Sequence, residues 1–231
     1  WRGAATMTIV IAAGGTGGHL YPAVALAREF QRRDPSTKIL FVGTTRGVES
    51  KVLAHEGFEL AMITAKPVMG KGLLDVMRGV FSVPIGIWQS LELLKRRQAD
   101  LVIGVGGYTS PTMLVAAALK GIARVILEPN AYPGLANKVV APFAQRIFLA
   151  FESAGTSFDR GTVRVVGTPI RQEFLVQLDS NASTKQDRQH LLVFGGSQGA
   201  RAINSAVVEG LPMLCQRFPG LTITHQTGEG D

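Results

Sequence analysis

Cysteine is almost missing from this chain of 231 residues: Cys215 stands alone. An internal disulfide is therefore excluded, as suits a reducing compartment, and the apolar helical stretch around Cys215 predicts a buried structural thiol. No glycine is followed by Lys-Ser or Lys-Thr, so a Walker loop is excluded. No Asp-x-Asp pair occurs, and neither a metal nor a cofactor is expected. No apolar run is long enough to span a bilayer, because the most apolar helical region is broken by Asp75, Arg78 and Pro84. Residues 1–6 lack the apolar core and small-residue cleavage site of a signal peptide, and Met7 is the expected natural start.

What is abundant is glycine, 27 residues in short clusters between apolar runs. Hydrophobic residues make up 46% and charged residues 18%, the balance of a globular chain, not a disordered one. The net charge of +7 suits a nucleic acid, an anionic membrane surface or a phosphate-rich substrate. Nucleic acid is disfavoured, because the basic residues flank apolar helices and no aromatic stacking platform accompanies them.

Short, β-branched apolar segments alternate with helical patterns. Strands are predicted at Thr8 to Ala13, Lys38 to Val42, Glu59 to Ile63, Leu101 to Val105, Arg124 to Leu127, Arg146 to Leu149 and Val163 to Val166, with helices at Pro22 to Arg33 and Val48 to Glu56. Such alternation argues for a doubly wound parallel α/β sheet. Residues 172–189 are polar and rich in turn formers, which marks a linker between a domain at 7–171 and a second at 190–231. The pattern then restarts with a strand at His190 to Phe194, a helix from about Ala200 to Arg217 and a strand at Leu221 to His225. The restart is an echo: IVIAAGGTGG at Ile9 to Gly18 and LLVFGGSQG at Leu191 to Gly199 share an apolar strand, a Gly-Gly pair, a hydroxyl residue and a further glycine. Two Rossmann-like units are expected, both with ligand loops at the carboxyl ends of their strands, and the second is expected to be incomplete within this chain.

The glycines say what those loops can hold. Gly14, Gly15, Gly17 and Gly18 precede a helix whose first turn is expected to hold Pro22, and backbone amides at a helix start suit a diphosphate. A nicotinamide dinucleotide fits poorly: Leu20 stands where a third fingerprint glycine belongs, and the tip of the second strand, Gly43-Thr44-Thr45-Arg46, carries no acid. Gly106, Gly107 and Tyr108 form a second such turn, where Tyr108 is equally a stacking face or a rim residue. Glu128 and Asn130 follow another strand and suit hydroxyl and sugar recognition. His19 is the leading candidate for a general base or an orienting group, since imidazole titrates near neutral pH, and Glu128 is its rival.

Six motifs carry a resemblance: GGTGGHLYP at Gly14 to Pro22, GGYTSP at Gly106 to Pro111, EPNAYPGLANK at Glu128 to Lys138, VGTPIR at Val166 to Arg171, GGSQGAR at Gly195 to Arg201 and HQTG at His225 to Gly228. In this order and spacing they resemble the MurG-type glycosyltransferases over essentially the whole chain from Met7. The resemblance implies a GT-B fold and inverting transfer of N-acetylglucosamine from its UDP donor to the C4 hydroxyl of the muramoyl sugar in lipid I, the undecaprenyl-diphosphate-linked MurNAc-pentapeptide, giving lipid II. It implies donor contacts at Thr16, Gly17, Gly18, Asn130, Arg171 and Ser197, with Arg171 meeting the charge of the departing diphosphate. An interdomain salt bridge is the alternative use of Arg171. The chain departs from the pattern at Leu127, where many members have histidine, and at Thr168, where asparagine is usual. The later donor loop lies beyond Asp231, so the chain is expected to bind the acceptor better than the donor.

Residues 66–97 are expected to form a membrane face. Leu73, Val76, Met77, Val80 and Phe81, then Ile87, Trp88, Leu91 and Leu94, follow helical spacing, flanked by Lys71, Arg78, Lys95, Arg96 and Arg97. The resemblance likewise implies peripheral attachment, at the cytoplasmic face of the bacterial inner membrane. Another glycosyltransferase of this fold with a different lipid acceptor, a sugar-nucleotide epimerase, and a non-catalytic module that holds a lipid-diphosphate sugar remain the alternative readings.

Overall fold

The computed structural model describes residues 6–14, 17–44, 49–65, 73–158, 162–174, 189–196 and 199–228. The chain divides into two compact units, Trp1–Gln177 and Leu178–Asp231.

The first unit is a seven-stranded, all-parallel sheet. Its strands are β1 (Thr8–Ala13), β2 (Lys38–Gly43), β3 (Glu59–Met62), β4 (Leu101–Gly106), β5 (Ala123–Glu128), β6 (Arg146–Leu149) and β7 (Thr162–Val165). They lie in the order β3-β2-β1-β4-β5-β6-β7. The intervening helices are α1 (Gly17–Arg33), α2 (Glu49–His55), α3 (Leu73–Arg97), α4 (Thr109–Leu119) and α5 (Leu135–Val140). The unbroken apolar runs follow from burial on both faces. Ile9, Ile11 and Ala13 of β1 pack with Leu20, Ala23, Val24 and Ala27 of α1. Val10 and Ala12 point the other way, into a cluster with Leu93 and Leu94 of α3 and Met113, Leu114, Ala116 and Ala117 of α4. Each fully buried aliphatic chain contributes about 1.5–3 kcal/mol relative to exposure. Strand order reverses between β1 and β4, and the crevice at the carboxyl ends of such a pair is where this architecture binds ligands.

The second unit contains β8 (His190–Phe194), α6 (Arg201–Arg217) and β9 (Thr222–Gln226), with the two strands paired in parallel.

Three expectations are corrected. The first helix begins at Gly17, so Pro22 lies inside it and not in its first turn. A proline there forfeits only the bond to the Gly18 carbonyl, and its fixed φ suits the helix. Pro84 does not interrupt α3, which runs unbroken over 25 residues; packing against α4 compensates for the one lost backbone bond. Cys215 is exposed, not buried. Two strands cover little of a 17-residue helix, and Asn204 is the residue of α6 that they bury.

Candidate functional site

The site is built at the carboxyl edge of the first unit's sheet, where the turns after β1, β4 and β5 meet. Gly106 ends β4 with φ +127°, and Gly107 follows with φ +78°, conformations that side chains resist. Sterics leave no choice either. A Cβ on Gly107 would drive into the carbonyl of Gly14, and one on Gly106 would lie 2.9 Å from Cδ2 and Nε2 of His19. The turn after β4 thus closes directly on the turn after β1. Ser110, buried in α4, secures it: its Oγ accepts from the Gly106 amide at 2.9 Å and lies within donating reach of the carbonyls of Gly106 and Ala12. Tyr108 is half exposed at the amino end of α4.

His19, the third residue of α1, is half-buried with its ring against Gly106. Burial pushes its pKa below the ordinary imidazole value, and the charge of Glu128 pulls weakly the other way. Neutral imidazole is therefore the form that the fold favours.

Glu128 is the last residue of β5 and is fully buried. Its Oε1 accepts from the backbone amide and the side-chain Nδ2 of Asn130, at 3.0 and 2.8 Å. Its Oε2 accepts from the Gly134 amide and from Nδ2 of Asn137, at 3.0 and 2.9 Å. Four donors converge on two oxygens, which matches the acceptor capacity of a carboxylate. Because the carboxylate can only accept, the amide nitrogen of Asn130 must point toward it. That nitrogen also lies 3.4 Å from Nε2 of His19. A donor at that position makes Nε2 the lone-pair nitrogen of the ring. Glu128, Asn130 and His19 form one line from the buried carboxylate to the imidazole.

Arg171 follows β7 and meets aromatic rings. Its guanidinium carbon lies 4.8 Å from the Tyr21 ring centroid and 5.1 Å from that of Phe174. Among the described residues no carboxylate pairs with it. Gly17 and Gly18 open α1, with Gly18 exposed. Thr16 and Ser197 lie outside the described residues. In the second unit, Gly195 donates its amide to the Gln226 side chain at 3.3 Å, which ties the glycine turn to the end of β9.

Sequence reasoning did not single out three residues that build this edge: Ser110, Tyr21 and Glu49. Glu49 is fully buried in α2, with its carboxylate against the position that a side chain on Gly14 would occupy. A lone acid in a short helix carries no signal in one sequence. Asn137 sits inside the motif around Glu128 and was legible as part of it.

Comparison with known proteins agrees with this arrangement. Residues 9–149 match the glycosyltransferase family 28 N-terminal domain, and residues 190–231 match the family's C-terminal domain. Curated relatives from Syntrophotalea carbinolica and Geobacter sulfurreducens are each 44% identical over 97% of this chain. Both are named UDP-N-acetylglucosamine–N-acetylmuramyl-(pentapeptide) pyrophosphoryl-undecaprenol N-acetylglucosamine transferase. The chain spans 62% of the length of each. Among solved structures, Acinetobacter baumannii MurG superposes with a TM-score of 0.68 at 23% identity, covering 98% of this chain and 68% of that one. A UDP-GlcNAc 2-epimerase from Neisseria meningitidis bound to UDP-GlcNAc gives 0.67 at 15% identity, over 97% and 66%. At those identities the likeness speaks for a shared GT-B fold. On the match over residues 9–149 and the identity along nearly its whole length, this chain belongs to glycosyltransferase family 28.

Proposed function

We propose that this chain carries the acceptor side of an N-acetylglucosaminyltransferase that converts lipid I to lipid II. The observation that carries the reading is the line from Glu128 through Asn130 to Nε2 of His19, at the edge where Gly107 closes on Gly14. The C4 hydroxyl of the muramoyl sugar attacks the anomeric carbon of the donor sugar. As the new C–O bond forms, the bond from that carbon to the UDP oxygen breaks, and the configuration inverts. The hydroxyl takes the place of the Asn130 amide at Nε2 of His19, and the imidazole accepts its proton there. A lowered pKa keeps that nitrogen unprotonated near neutral pH. Glu128 is the positioning group: its oxygens are engaged by four N–H donors, so it holds Asn130 and the turn instead of competing for the proton. The turn at Gly107, whose backbone carries no side chain, receives the acceptor with Tyr108 beside it. UDP leaves with its charge met by Arg171 and by Gly17 and Gly18 at the opening of α1. We assign 7–171 as the acceptor and membrane domain, 172–189 as linker and 190–231 as part of the UDP-sugar domain.

The substrate is a lipid, and α3 supplies a surface for it. No helix among the described residues is long and apolar enough to cross a membrane. Trp88 is 67% exposed, and Ile85 and Met62 are about half exposed beside it in the same unit. Lys95, Arg96 and Arg97 follow, all exposed. An apolar patch bordered by cations suits peripheral binding to anionic lipid at the cytoplasmic face of the inner membrane. The expected side chains of residues 66–82 in this face, Lys71 and Arg78 among them, lie outside those described. Leu94 is buried and Leu91 half-buried, so that part of the stripe serves the core.

The reading is tested in two steps. The chain should bind a short-chain analogue of lipid I more tightly than it binds UDP-N-acetylglucosamine. A version extended to the length of its relatives should move labelled N-acetylglucosamine onto the analogue. Release of free sugar or of a 2-epimer without disaccharide would overturn the reading in favour of a hydrolase or an epimerase.

A further inference from the structure

Two large aromatic side chains of the first unit lie at its surface without joining either core cluster. Tyr21 is 41% exposed and Phe174 is 56% exposed. What they share is Arg171, whose guanidinium carbon lies within about 5 Å of both ring centroids, the range of a cation–π contact. Tyr21 stands four residues after Gly17, on the same face of α1. Its ring edge fills the space that a side chain at Gly17 would take, with Cε2 3.3 Å from that Cβ position. Gly17, Tyr21, Arg171 and Phe174 therefore form a continuous series from the glycine turn to the cation.

The choice of rings over a carboxylate has a chemical consequence. A carboxylate partner would orient Arg171 and also neutralise it, and an incoming diphosphate would have to displace it. A ring face attracts the planar guanidinium and fixes its plane while leaving the N–H donors unspent. We propose that Tyr21, assisted by Phe174, is a positioning residue that holds Arg171 in place for the diphosphate of a substrate, with no carboxylate among the described residues paired to it. This rests on the reading of Arg171 as the cation that meets diphosphate charge.

The test uses the chain itself and inorganic pyrophosphate as probe, with affinity and the NMR signals of the Arg171 side chain as readouts. In the free protein the Arg171 δ protons should show the upfield displacement that ring faces impose. Tyr21→Leu should abolish most of it and Tyr21→Phe should keep it. Removing one cation–π contact near the surface should raise the pyrophosphate Kd about two- to fivefold in Tyr21→Leu. Tyr21→Phe should restore the affinity, and Tyr21→Leu added to Arg171→Gln should cost nothing further. A weakened Arg171→Gln beside an unchanged Tyr21→Leu overturns the positioning role alone. An unchanged Arg171→Gln overturns the diphosphate reading itself, and unshifted Arg171 protons show that the rings do not hold the side chain.

Discussion

The turns after β4 and β5 lie side by side at the same sheet edge and are fixed by opposite means. After β4 the backbone is set by what is missing: Gly106 and Gly107 have positive φ and no room for a Cβ. After β5 it is set by what is present, a buried carboxylate that gathers four N–H donors from Asn130, Gly134 and Asn137. The first device packs one turn directly on another and tolerates no substituent. The second aims a side chain, Asn130, and tolerates only another four-fold acceptor. The function proposed above, in which this edge receives a phosphate ester and orients a base, uses the two together.

Breaking the first device should have the largest effect. Gly107→Ala forces a left-handed alanine into the Gly14 carbonyl and should destabilise the first unit by about 3 kcal/mol or more, read by urea unfolding. Breaking the second should cost somewhat less. Glu128→Gln turns one acceptor into a donor that faces two donors, for a loss of about 1–3 kcal/mol. The same variant removes the charge that raises the His19 pKa, so NMR titration should find the imidazole pKa lower still. Gly57→Ala separates backbone strain from collision. Gly57 has φ +69° but nothing within 4 Å of its Cβ position, and the substitution should cost only about 1 kcal/mol.

The smallest effect concerns pH. His19 has its pKa lowered by folding, so the unfolded chain takes up the proton first as the pH falls below about 6.5. The stability contributed by the neutral ring is complete above that value and declines below it until the folded-state pKa is passed. Between pH 7 and 5, His19→Gln should lose less stability than the wild type. Equal slopes for the two proteins would show that His19 is not buried in neutral form.

Much of the fold was legible because burial on both faces leaves a plain mark. Ile9 to Ala13, Phe41 with Val42, and Ile103 read as buried parallel strands and are such. Helix starts were less legible. Pro22 invites a helix beginning there, yet Gly17 to Tyr21 already belong to α1, because glycine and histidine carry no start signal of their own. Cys215 misled for a different reason. An apolar pattern marks a face that wants cover and cannot say whether cover is supplied. Of the site, the glycine turns, His19, Glu128 and Asn130 could be found from motif position alone. The pairing of Arg171 with Tyr21 could not, because it joins residues 150 positions apart through ring geometry. The direction of the Glu128 bonds was equally hidden, since spacing cannot distinguish a saturated carboxylate from a free base.

The central claim is that acceptor chemistry takes place at the edge shared by β1, β4 and β5. The most direct measurement is an amide and side-chain NMR titration of the chain with a short-chain lipid I analogue. The account predicts saturable shifts at Gly106, Gly107 and Asn130 and on the His19 ring, all with one Kd, which Gly107→Ala abolishes. Saturable binding that leaves those four residues unmoved would contradict it.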